Sequence, residues 1–281
     1  MKVMQVGLGA LLAAVLPSFL HAQEAKAPAP AASAAPGKVM SAQDIVTVAF
    51  DRNGSFYTNV KAGLRMTLTT AKGEQKVRDL EIRGIRTADG SVRTLVRFRS
   101  PADVAGTTFL VMQNPSGPPD QYLYLPNLKK VRRIAAGQAS QSFMGSDFTF
   151  LDMSPVPAAR ADEVSYNRLP DAEIGGQPVY VVEVTPKLQG SPYSRVVVHV
   201  HKEHLIPLKV EFFDAVGAPL KTLSVKKLKK LKSSDGSKVV PLESEMRNLQ
   251  KGSATVMSLE DVDLEAKLNP EDFTPAALSA E

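Results

Sequence analysis

There is no cysteine among the 281 residues, which excludes disulfides, thiolate metal sites, cysteine nucleophiles and a lipidated N-terminal cysteine. There is no G-x-S-x-G elbow either: Gly145-Ser146-Asp147 lacks the second glycine a serine hydrolase turn requires. The adjacent acids Glu260, Asp261 and Asp263 fall on a strand pattern, where neighbours alternate faces, and read as a solvated edge. No internal repeat stands out. Past the first twenty or so residues no apolar run approaches the ~20 residues that span a bilayer. Histidines number only four, three of them in the HVHKEHL segment. His199 and His201 share a strand face, and with His204 they are the candidates for zinc or copper, a role that needs a third ligand such as Glu203 or Glu211. Spacing alone does not supply that ligand. These absences predict a protein that is not an enzyme and carries no cofactor or metal.

Neither sign of charge is in large excess, with 34 basic and 29 acidic residues. The formal net charge is +5, and residues 1–22 hold one lysine and no acid, so their removal leaves +4. That excess is too small and local to indicate nucleic-acid binding.

What is present begins with a leader. Residues 1–22 combine Lys2, an apolar stretch through GLGALLAAVL and an HAQ junction, the pattern of a secretory signal peptide cut after Ala22. Residues 23–40 are Ala/Pro-rich and read as a tether. Export without disulfides points to a bacterial periplasm, and a single domain is expected over 41–281.

That domain opens on a helix. Ser41 and Asp44 have capping-box spacing, Ile45, Val48 and Ala49 follow at helical intervals, and Asn53-Gly54 signals the end. Period-2 patterning then takes over: Leu64, Met66 and Leu68 alternate with Arg65, Thr67 and Thr69, and Val92, Thr94, Val96 and Phe98 alternate with Arg93, Leu95, Arg97 and Arg99, the latter as the wetter face. Strands are also predicted over 77–85 and 107–113. A Pro/Gly loop at 115–119 precedes the next strand, and 154–165 reads as a short helix or crossover. Further strands are predicted at 179–185, 195–201, 207–213, 221–231, 239–249 and 254–262, with a capped turn at 269–273. About ten or eleven strands with two or three short helices describe a mainly β, α+β fold: a large curved antiparallel sheet forming an incomplete barrel.

The rest of the chain is organised around residues 121–153. This stretch joins an apolar strand containing Tyr122 and Tyr124, the cations Lys129, Lys130, Arg132 and Arg133, and a Gly/Ser turn carrying Phe143, Met144, Phe148 and Phe150. Exposing such side chains forgoes roughly 1.5–3 kcal/mol each, so protein or ligand must cover them. A curved sheet with few helices leaves an apolar concave face, and the residues expected to line it are Leu64, Met66, Leu68, Val96, Phe98, Phe109, Tyr122, Tyr124, Phe143, Met144 and Phe148. The four cations would stand at its mouth, facing an anionic head group, membrane or partner. A second basic run, residues 226–232, has a period of three and reads as a charge-blunted strand.

Three segments in fixed order, TLVRFRSPADVAGTTFL, QYLYLPNLKKVRRI and SFMGSDFTF, resemble the LolA-like outer-membrane lipoprotein-sorting protein family, in its larger branch associated with RND/MMPL-type exporters. The likeness extends more weakly to DIVTVAFDRNG and to the C-terminal MRNLQKGSATVMSLEDVDLEAKLNPEDFT. Phe150 and Leu151 stand where that family usually has tyrosine and glutamate. The resemblance implies a LolA/LolB-like incomplete barrel that takes up acyl chains of lipid or lipoprotein cargo. It further implies an inner-membrane RND/MMPL-type transporter and an outer-membrane acceptor as partners; a monomer is expected. The alternative expectation is a non-catalytic accessory subunit whose barrel is filled by its own side chains.

Overall fold

A computed structural model describes residues 40–55, 59–114, 118–153, 164–187, 191–234 and 236–279. They belong to one unit, Met40–Glu281. The leader, nearly all of the tether, the loop residues 115–117 and most of the predicted crossover at 154–165 lie outside the described residues.

Helix α1 (Ala42–Ser55) starts as the capping residues predict, with the Asp44 amide donating to Ser41 Oγ at 3.0 Å. It runs through Asn53-Gly54 to Ser55 instead of ending before them. A single glycine costs a helix only about 1 kcal/mol, so the turn signal is overridden.

Thirteen strands follow: β1 (Val60–Thr69), β2 (Gln75–Arg86), β3 (Val92–Ser100), β4 (Thr108–Met112), β5 (Asp120–Leu125), β6 (Lys130–Arg133), β7 (Val164–Ile174), β8 (Gln177–Pro186), β9 (Arg195–His201), β10 (Pro207–Phe213), β11 (Pro219–Ser233), β12 (Gly236–Asn248) and β13 (Ser253–Asp263). They form a single antiparallel sheet ordered 6-5-4-3-2-1-13-12-11-10-9-8-7, which does not close. Two meanders are zipped together where β1 pairs with β13. The connection from β6 to β7 therefore has to pass from one edge of the sheet to the other.

Register builds one apolar face across the strands. Leu64 lies opposite both Leu259 and Leu80, and Leu80 opposite Phe98. Val96 faces Phe109, which faces Leu123. Irregularities in the β1–β13, β10–β11 and β11–β12 ladders bend the sheet around this inner face. Over β8, β9 and β10 the cover is α1, whose Ile45, Val46 and Ala49 pack on Val182, Val198, Val200 and Val210.

The other face of β3 is drier than its arginines predict. Leu95, Ile85 and Leu110 are covered by Phe273 and Leu278 of the C-terminal turns. Asn269 caps the first of these turns by accepting from the Glu271 amide, as the NPEDF pattern predicts.

The two strands absent from the sequence reading, β6 and β7, are the edges. β7 contains Pro170 and shifts register between Leu169 and Ala172. Proline lacks the ladder donor and is confined to edges and bulges, so this strand carries no clean alternation. The part of 154–165 that is described, Val164 and Ser165, is extended and not helical.

Candidate functional site

The β6–β7 connection supplies the cover for the second half of the inner face. Between Ser142 and Thr149 the chain folds back on itself, with the Phe143 amide donating to the Phe148 carbonyl at 2.7 Å. The reversal needs left-handed backbone at Met144 and Gly145, with φ of 52° and 77°. Ser146 Oγ donates to the Phe143 carbonyl, and Ser142 Oγ to that of Ser146, so the small residues of SFMGS bond the turn's own carbonyls. Phe143 is thereby delivered to the sheet with no exposed surface. Its ring sits 5.1 Å from that of Phe109 and 5.5 Å, edge-on, from that of Phe150.

Two aspartates pin this loop. Asp147 accepts from Ser253 Oγ and Thr255 Oγ1 on β13, while its amide donates to Thr255 Oγ1. Asp152 accepts from Tyr193 Oη at 2.8 Å and from Lys221 Nζ on β11. Lys221 and Asp152 side chains are only 3% and 6% exposed. The ammonium also donates to the Asp147 carbonyl and stands 5.3 Å from the Tyr193 ring and 5.2 Å from that of Phe212. Burial and the neighbouring Asp152 charge push the Tyr193 phenol well above its ordinary pKa, so it stays a donor. Arg78 and Gln121 add bonds from the sheet to the Met144 and Phe150 carbonyls.

Between α1 and the loop the cover provided by the described residues is incomplete. Phe212, Leu223, Met257, Leu259 and Val262 pack against the inner cluster yet remain partly exposed, as do Leu68 and Met144. They form an apolar strip along the middle strands, bounded by helix on one side and loop on the other.

This architecture has solved counterparts. A crystal structure of a domain from Vibrio parahaemolyticus, described as an outer membrane lipoprotein-sorting protein, is 32% identical with a TM-score of 0.76, over 84% of this chain and 97% of that one. The chain belongs to the LolA-like outer-membrane lipoprotein-sorting family. A family model described as "Uncharacterized protein" matches residues 90–280. A DUF1329 family protein from Desulfovibrio piger is 25% identical with a TM-score of 0.71, over 83% of this chain and 98% of that one. A LolA superfamily protein from Nitrosomonas europaea shares the fold at 18% identity and a TM-score of 0.62, over 84% of this chain and 98% of that one. No curated protein matches the sequence.

Within this lipoprotein-sorting fold, Leu64, Met66, Val96, Phe98, Phe109, Phe143 and Phe148 meet in the inner cluster, with Leu68 and Met144 at its margin. Tyr122 and Tyr124 do not join them. They pack on the outer face with Leu110 and Phe273, because alternation along β5 turns Leu123 and Leu125 inward instead. The same alternation divides the cations expected at one mouth. Arg132 and Lys130 lie opposite Leu123 and Leu125 on the inner side, whereas Arg133 lies opposite Tyr122 and pairs with Asp120. Lys129 occupies a left-handed turn position at φ 49°.

His199 and His201 share the outer face of β9 but are engaged separately. His199 Nε2 bonds Glu211 at 2.8 Å, whereas His201 Nδ1 accepts the Glu203 and His204 amides and its ring stacks on His204. Among the described residues no group of three potential ligands comes together. Phe150, which stands where the family usually has tyrosine, packs on Phe143, Leu151 is exposed, and the carboxylate that anchors the loop is Asp152.

Sequence reasoning missed Asp147, Asp152, Tyr193, Lys221 and the strip on β10, β11 and β13. Two aspartates inside a Phe-rich turn were the available signal, since acids among apolar side chains require partners.

Proposed function

We propose that the protein is a periplasmic, non-enzymatic carrier that holds the acyl chains of a lipid or lipid-anchored cargo against its inner face. In this role it receives cargo from an RND/MMPL-type inner-membrane transporter, passes it to an outer-membrane acceptor, and works as a monomer. The observation that carries the reading is the partly buried strip of Phe212, Leu223, Met257 and Leu259 between two separate covers among the described residues. Acyl burial at roughly 0.8 kcal/mol per CH₂ provides the affinity without any bond being made or broken. Family membership supports the assignment, and the signal-like leader fits the compartment.

The Phe143 turn covers the inner face next to this strip, and its lifting would extend the apolar surface. Its ties to the sheet are the side-chain bonds of Asp147, Asp152 and Arg78 and the buried Phe143 ring, none of them a ladder bond, so the turn can lift while the sheet keeps its ladders. Hydrogen bonds to charged groups contribute about 1.5–3 kcal/mol each, and apparent affinity scales with the fraction of molecules that are open. Asp147→Ala is therefore expected to tighten binding of a fluorescent fatty-acid probe by about tenfold.

The decisive measurement is mass spectrometry of lipid extracted from protein purified out of its native envelope, together with probe titration. Absence of lipid and of probe binding in both the wild type and Asp147→Ala would sink the carrier reading. It would favour a structural accessory subunit, for which the fully buried Phe98, Phe109 and Phe143 plug is the supporting observation. Replacing Lys129, Lys130, Arg132 and Arg133 together with serine tests the head-group role. A severalfold loss of affinity for phosphatidylglycerol, with fatty-acid binding unchanged, is expected.

A further inference from the structure

The basic run left unexplained by the inner face is the far half of the β11–β12 hairpin. β10 pairs with β11 only as far as Ser224, and β13 pairs with β12 only from Glu243 onward. Beyond those points each of the two strands has only the other as a ladder partner, from Lys227 and Glu243 out to the Ser233–Gly236 pair, after a bulge at residues 225–228, and the tip is tied back by the Ser234 amide, which donates to Glu265. The ribbon thus projects past its neighbours. It is held by Val240, which is buried with Val60 and Leu264, and by the half-buried Leu231 and Leu242.

Residues 225–242 contain six lysines, one acid, no arginine and no aromatic residue. Lys226 pairs with Glu245 at 3.4 Å. Lys227, Lys229, Lys230 and Lys232 are exposed, and among the described residues none has a carboxylate within ion-pair distance. Lys229 and Lys230 are consecutive on a strand and project to opposite sides, so both faces of the ribbon carry charge. Leu228 and Leu231 are turned into neighbouring apolar clusters and offer no anchor for insertion.

We infer that this projecting ribbon is a contact surface for an anionic lipid bilayer. Protein interfaces concentrate aromatic residues and arginine and are depleted in lysine at their cores. A lysine-only array with its leucines tucked away makes no such core. Flexible, strongly hydrated ammonium groups instead suit a diffuse field of lipid phosphates, which needs no fixed geometry. The role is independent of whether the inner face holds cargo.

The test is sedimentation of protein, expressed from the full chain, with vesicles of phosphatidylethanolamine containing about a third phosphatidylglycerol, against phosphatidylcholine vesicles. Binding to the anionic vesicles alone is expected at about 50 mM salt, with loss near 0.5 M. Changing Lys227, Lys229, Lys230 and Lys232 to glutamine should weaken it about tenfold or more. A thermal melt matching the wild type certifies the variant, and the Lys229→Gln, Lys230→Gln pair replaces it if folding suffers. Undiminished binding by the variant, or equal binding to neutral vesicles, overturns the inference. So does tighter binding to polyglutamate than to vesicles at equal charge concentration, which would place an acidic protein there instead.

Discussion

Asp152→Ala is expected to lower the free energy of unfolding by about 3–5 kcal/mol, because it strands the Lys221 ammonium in a dry site without its counter-charge. Lys221 is 3% exposed, and its other neighbours are a single carbonyl and two ring faces. None of these replaces a carboxylate. Tyr193 loses its acceptor in the same change. Urea denaturation at neutral pH gives the value directly. The triple change Asp152→Leu, Lys221→Met, Tyr193→Phe removes every polar member together and should recover most of the loss, since buried ion pairs exchange for apolar side chains at little cost. A loss below about 1 kcal/mol for Asp152→Ala would mean that water reaches the ammonium and that the anchor is wet.

The second large effect is at Phe143. Phe143→Ala should cost about 3–5 kcal/mol by opening a cavity under the turn, bounded by Phe98, Phe109 and Phe150. Cavities lined only by such groups stay dry and accept small apolar molecules. Thermal unfolding should therefore show a lowered midpoint that a short alkane or benzene partly restores. No restoration would indicate that the loop and sheet collapse into the space. The two substitutions separate the polar anchor from the apolar plug: the first leaves the ring stack intact, and the second leaves the aspartates bonded.

The strands that could be read from sequence are those with one face against the inner cluster. Leu64, Met66 and Leu68 in β1 and Val96 and Phe98 in β3 announce themselves by period, because a core on one side enforces alternation. The edges β6 and β7 gave no such signal. KVRR serves as an edge by charge and VSYNRLPDAEI by its proline, and both devices erase the alternation that marks a strand.

The same divide runs through the site. Phe143 and Phe148 were legible as buried because nothing else accommodates them in water. Tyr122 and Tyr124 were assigned to the wrong side because both faces of β5 are covered, and the outer cover, Phe273 and Leu278, lies about 150 residues downstream. Lys221 looked like one more strand lysine. Its burial depends on Asp152, 69 positions away, a pairing that no local pattern encodes.

The unjoined edges of the sheet bear on the proposed carrier role. In a closed barrel, strand number and stagger together fix the radius, and every change of girth must break hydrogen bonds. Here β6 and β7 are never zipped to one another. An open sheet escapes that constraint, since a small change in coiling per strand alters its girth without breaking a ladder. In the proposed carrier role, such a sheet would select for the character of its cargo and tolerate differences in length.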